Sequence, residues 1–146
     1  NGLGNLFERV FTMILTSKVN ITSSQDVQIE IDEKIREWAA EAELNYKHEM
    51  ENYRLFEALR TIFGFVKKLD KYINEKEPWK LIKENESADE ELVTILTSLF
   101  YGTEKIADWL LPFMPQKAEE VKKYIDRMKY GEIKKDERLN LFPRMI

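Results

Sequence analysis

Apolar residues along this chain recur at three- and four-residue spacings, and no alternation of apolar and polar positions persists beyond a few residues, so helices are predicted and strands are not. A first helix is predicted over residues 3–17, ending in the segment 18–25, where Asn20, Thr22, Ser23 and Ser24 are turn and cap formers. A second covers residues 27–50 and a third residues 54–75. The third repeats Phe56, Leu59, Ile62/Phe63, Val66 and Ile73 at helical spacing and stops before Pro78. Pro78 suits the first turn of a short new helix, because its missing N–H has no intrahelical partner there, so a kinked junction is expected at Glu77-Pro78-Trp79. A fourth helix, residues 88–111, sets Leu92, Leu99, Ile106 and Phe113 seven apart with Ile95 and Leu96 between them, a stripe that faces a bundle. Pro112 and Pro115 end it. A fifth helix covers residues 116–128, and Leu141-Phe142-Pro143-Arg144 is expected as an extended tail that packs back on the bundle. The fold class is therefore all-α: an antiparallel bundle of about five helices forming one domain over residues 1–146.

Composition agrees with this picture. With 146 residues, 43% hydrophobic and 34% charged, the chain can bury a core without a disulfide or metal, and it has no Cys. Thiolate chemistry and Cys-ligated zinc are thereby excluded. The longest uncharged stretch, residues 93–103, spans 11 positions including three Thr, a Ser and a Gly, too short and too polar for a membrane span, so no membrane partner is expected. The net charge of −4 argues against gripping nucleic acid by bulk electrostatics. Its distribution is uneven: residues 117–146 hold nine Lys/Arg against six Asp/Glu, leaving 14 against 21 in residues 1–116. Any phosphate contact has to be local. The second helix, with nine acids and three bases across residues 26–52, reads as a solvated outer face.

Candidate chemistry is sparse. The single His, His48, lies on that acidic helix with no second His at metal spacing, so no metal site is expected. Carboxylate pairs such as Glu90/Glu91 and Glu119/Glu120 sit in charged stretches with nothing apolar to raise a pKa, and there is no nucleophile elbow, phosphate loop or dinucleotide fingerprint. No catalytic residue is assigned. The first helix is more informative. At 100° per residue, Leu3, Leu6, Phe7, Val10 and Ile14 cluster on one side, and Asn1, Asn5 and Arg9 fall within about 80° of one another on the other. Two amides and a guanidinium projecting together offer forked donors and acceptors for a base edge, although any amphipathic helix shows polar residues opposite its apolar stripe. Trp79, at the Pro-fixed junction, is the second candidate: an exposed indole can stack an unpaired base, whereas a covered one is a hinge-packing residue. Trp38 and Trp109 lie within amphipathic helices and are assigned to packing.

At these residues the sequence resembles the anticodon-binding helix bundle of methionyl-tRNA synthetases. The opening Asn1-Gly2-Leu3-Gly4-Asn5-Leu6-Phe7-Glu8-Arg9-Val10 is similar to the start of that bundle. Further matches follow in order: Ala58-Leu59, Lys71-Tyr72-Ile73, Glu77-Pro78-Trp79-Lys80-Leu81, Leu111-Pro112-Phe113-Met114-Pro115 and Leu141-Phe142-Pro143-Arg144. Related class I synthetases share the bundle, and the terminal Leu-Phe-Pro-Arg narrows the match to the methionine branch. Glu8 stands where many members have Asn or Ser, and Asp70 where many have Asn, so extra negative charge lies near these positions.

The resemblance implies that Asn5 and Arg9 read the first anticodon base, cytosine, that Trp79 stacks on an anticodon base, and that Asn1 extends the same polar face. It implies recognition of the CAU anticodon loop of methionine tRNAs, with no cofactor in this domain, a cytoplasmic location, and a catalytic domain of the parent synthetase as covalent partner, which would use ATP and methionine. The catalytic motifs of such enzymes have no counterpart in these residues. Because the sequence opens within the first motif, it is expected to be one part of a longer synthetase, a stand-alone protein acting in trans being the alternative. The rival readings are a structural or protein-interaction bundle of the same fold and the anticodon domain of an isoleucine, leucine or valine enzyme.

Overall fold

A computed structural model describes residues 2–21, 30–84 and 89–133. Among these residues there are six helices and no strand: α1 (Gly2–Thr16), α2 (Glu33–Glu51), α3 (Leu55–Lys76), α4 (Pro78–Glu84), α5 (Glu90–Leu110) and α6 (Pro115–Lys129). The five long helices and the short one at Pro78 follow the predicted order. Asn1 and the expected tail at 141–144 lie outside the described residues.

The helix α5 is apolar nearly all round, which is the signature of a helix surrounded by others. It contacts each of the other five, and 13 of its 21 residues are buried. Asp89 caps it, accepting hydrogen bonds from the backbone N–H groups of Glu91 (2.6 Å) and Leu92 (3.3 Å), while Glu90 and Glu91 place negative charge at the positive end of the helix. The short connections at 52–54 and 111–114 force α2 against α3 and α5 against α6 as antiparallel neighbours. Gly102 allows the close approach of α5 to α3: a Cβ there would meet Leu69 Cδ1 at 2.8 Å.

Three expectations need correction. The second helix begins at Glu33, not at 27. Residues 30–32 are not helical, because Asp32 turns its carboxylate back to accept the Lys34 N–H (3.0 Å), the hydrogen bond of an N-cap. The same residue ties three helices together, since its other carboxylate oxygen accepts the Tyr72 hydroxyl of α3 (2.9 Å) and its N–H donates to Ser98 Oγ of α5 (2.8 Å). Burial, followed by that hydrogen bond and charge, holds the Tyr72 hydroxyl well above the usual phenol range.

The second correction concerns α3. Its core face is Ala58, Ile62, Phe65, Val66, Leu69, Tyr72 and Ile73, whereas Phe56 and Phe63 project outward, 71% and 41% exposed. Both patterns have helical spacing, and the packing of α2, α5 and α1 against this helix decides which is covered. The third is the place of Phe113, which lies in the turn after α5 because the helix ends at Leu110 before Pro112, although it still packs half-buried against the core as the last member of the stripe.

Trp38 and Trp109 pack as expected. Trp109 is buried against Phe65 with ring centroids 5.3 Å apart, and its carbonyl accepts the Tyr46 hydroxyl (2.9 Å). Half-buried Trp38 meets Tyr72 edge-on at 6.3 Å. His48 is exposed.

Candidate nucleic-acid interface

The amphipathic character of α1 determines how it seats. Leu3, Leu6, Phe7, Val10 and Phe11 are buried against α3, α4 and α5, which leaves Asn5 exposed and Arg9 half-covered at the edge of the packed face.

The opposite wall comes from the α3–α4 junction. Glu77, the residue after α3, adopts a left-handed conformation (φ 48°, ψ 53°) that a non-glycine residue enters at a cost of about 1–2 kcal/mol. Its N–H donates to the Ile73 carbonyl (2.9 Å), and its carboxylate pairs with Lys80 at 3.0 Å. The tight reversal is followed at once by Pro78, which is buried and opens α4 without needing a donor. Trp79, next along the first turn, is held beside α1 with 37% of its surface still open to solvent. It is neither a core residue nor a free one.

These elements meet at Arg9. The centre of its guanidinium lies 5.6 Å from the centroid of the Trp79 ring, within cation–π range. Its Nη2 donates to Asn74 Oδ1 on α3 (3.1 Å), an exposed hydrogen bond that uses one of the five N–H donors of the group. Asp70, one turn earlier on α3, feels the same cation. Burial pushes its carboxyl above the ordinary value of 3.8, and the nearby Arg9 charge pulls it partly back. The negative charge at position 70 therefore does lie close to Arg9.

The structure thus brings Asn5, Arg9 and Trp79 to one face. It adds Asn74 and Asp70, of which the sequence reading noted only the second. Asn74 had one signal: with Asp70 it forms a polar i, i+4 pair beside buried Tyr72 and Ile73. Nothing in local spacing says that α1 crosses at that pair.

Chemically, the cluster is a flat aromatic surface, a guanidinium with most donors available, and exposed amides. Such groups suit an unpaired base, which offers both a π-face and a hydrogen-bonding edge. Among the described residues there is no group of three or more His, Cys, Asp or Glu placed to hold a metal, and no helix long and apolar enough to cross a membrane.

Comparison with known proteins points the same way. Residues 32–143 match the family model described as the anticodon-binding domain of tRNA ligase. A methionine–tRNA ligase of Fusobacterium nucleatum is 33% identical over 141 residues, covering 92% of this chain and 22% of the relative. One from Thermotoga maritima is 36% identical over 121 residues, 83% of this chain and 19% of the relative. A third, from Ignicoccus hospitalis, is 32% identical over 123 residues, 84% and 21% of the two chains. The chain spans about a fifth of the length of these relatives.

Proposed function

This chain belongs to the anticodon-binding domain family of tRNA ligases, in its methionyl-tRNA synthetase branch, and from that premise we propose that it recognises the CAU anticodon loop of methionine tRNAs. In this reading the Trp79 indole stacks on an anticodon base, and Asn5 and Arg9 hydrogen-bond the edge of the first base, cytosine. Asn1, four positions before Asn5 in sequence and outside the described residues, is assigned to the same polar row on that spacing alone. The observation that carries the proposal is the placement of the Arg9 guanidinium over a partly open Trp79 ring, beside exposed Asn5.

Selectivity follows from the partner's chemistry. Loop bases are unpaired, so edges and faces hidden in a duplex are accessible, and a bidentate contact to a base edge separates right from wrong bases by about 1–3 kcal/mol. Binding by stacking and hydrogen bonding needs no cofactor. The domain would work in the cytoplasm as part of a methionine–tRNA ligase, whose catalytic portion would consume ATP and methionine.

Titration of a CAU stem-loop against the same stem-loop with its first anticodon base changed tests the proposal. A preference for the CAU loop of roughly 5- to 150-fold is expected, the equivalent of that energy range. Equal affinities would reject anticodon reading by this face.

A further inference from the structure

The outward face of α3 carries a pattern that the anticodon cluster does not use. At 100° per residue, Phe56, Arg60, Phe63, Lys67, Lys71 and Asn74 project within about 80° of one another, opposite the buried set of that helix. All six are exposed. Residues 58–69 contain Arg60, Lys67 and Lys68 and no carboxylate, in a chain whose first 116 residues hold 14 Lys/Arg against 21 Asp/Glu. Lys68 turns aside toward the Trp38 ring, 6.0 Å from its centroid. Lys67 and Lys71 have no ion pair among the described residues. Arg60 pairs with Glu57 at 3.7 Å, both side chains largely in solvent, an arrangement that restrains it little.

We propose that Arg60, Lys67 and Lys71 form a ridge that contacts the phosphate backbone of the RNA stem carrying the bound loop. This rests on the anticodon-loop reading, because the ridge gains its partner from what Arg9 and Trp79 hold. Its last cation is one turn from Asn74, the residue hydrogen-bonded to Arg9. From Arg60 to Lys71 the three cations extend over about 16 Å of helix. A point anion would be met by converging cations, whereas a line of cations matches a line of phosphates. Such contacts fix the position of the RNA without reading its sequence. A protein partner on the same face would be gripped through Phe56 and Phe63, not through the cations.

The test compares the wild-type chain with the triple variant Arg60→Gln, Lys67→Gln, Lys71→Gln, titrated at several salt concentrations with a CAU hairpin and with the CAU loop nucleotides lacking a stem. The expected result is a fall of tenfold or more in hairpin affinity at low salt. The slope of log K against log salt should become shallower by about 2–3, since each phosphate contact contributes about 0.7–0.9. Affinity for the stemless loop should stay within about twofold, and preference for CAU over a changed first base should persist. Unchanged hairpin affinity and slope, or equal losses with and without the stem, would overturn the ridge. If the wild-type chain shows no CAU preference, the loop reading fails by itself, and the ridge then stands or falls on whether the triple variant loses salt slope. Should the triple variant melt early, Lys67→Gln decides alone: a slope shallower by about 0.7–0.9 supports the ridge, and an unchanged slope refutes it.

Discussion

Replacing Trp79 with Ala separates a stacking platform from a packing residue. Complete burial of a Trp makes its truncation cost about 3–5 kcal/mol. Trp79 is 37% exposed, so nearly two thirds of it is covered, and scaling gives about 2–3 kcal/mol of lost stability. Within that figure the cation–π contact with Arg9 accounts for about 0.5–1 kcal/mol. For a chain of this size the loss corresponds to a Tm decrease of roughly 5–10 °C. The open part of the ring is where a base would lie, and stacking contributes about 1–3 kcal/mol, a 5- to 150-fold increase in Kd on truncation. Both quantities are measurable on one sample: urea or thermal unfolding for the first, and stem-loop titration well below the Tm for the second. Trp79→Phe, which keeps a smaller ring, should recover part of the affinity. A Tm decrease of this size with unchanged affinity in the folded variant would refute the stacking role and leave Trp79 as a hinge-packing residue.

Other perturbations probe separate parts of the structure. Arg9→Ala should weaken CAU stem-loop binding and relax discrimination at the first anticodon base by about 1–3 kcal/mol; an equal loss for matched and mismatched loops would show that the guanidinium meets phosphate instead of a base edge. Asp32→Ala removes the α2 cap, worth about 1 kcal/mol, and strands the buried Tyr72 hydroxyl, worth a further 1–3 or so, whereas Asp32→Asn keeps one acceptor oxygen for the Lys34 N–H and turns an NH2 donor toward the Tyr72 oxygen, so it should cost less than the Ala variant. Equal denaturant midpoints for the two variants would contradict the three-helix junction at Asp32. Asp70 makes stability depend on pH. Its folded carboxyl titrates above the ordinary 3.8, so the folded state holds that proton to higher pH than the unfolded chain, and the ionised group opposes folding at neutral pH. That penalty disappears as pH falls through the folded value, so Asp70→Asn should raise Tm at pH 7 and converge with wild type below pH 3.8. A Tm difference constant from pH 7 to pH 3 would remove Asp70 from this account.

Local chemistry made several features legible before any tertiary contact was known. The α1 stripe, the separation of Asn5 from Arg9 by one turn, and the Pro78 start of α4 all depend on rules acting within a few residues: helical period, capping and the missing proline donor. They survived folding because nothing distant competes with them. The N-cap at Asp32 was equally local in kind but was missed, since residues 27–50 read as one charged helix and the decisive hydrogen bonds come partly from α3 and α5.

Tertiary structure decided what spacing leaves open. Phe56 and Phe63 have the same period as Ile62 and Val66, and which of the two sets meets solvent depends on the sides from which α2, α5 and α1 approach. Asn74 joined the Arg9 cluster through a crossing between helices 65 positions apart in sequence. Helical period fixes the angle between side chains on one helix, but the rotation and crossing of that helix against its neighbours are set by the packing of the whole core. A sequence can therefore nominate the residues of each face, and only the assembled bundle determines which faces come together.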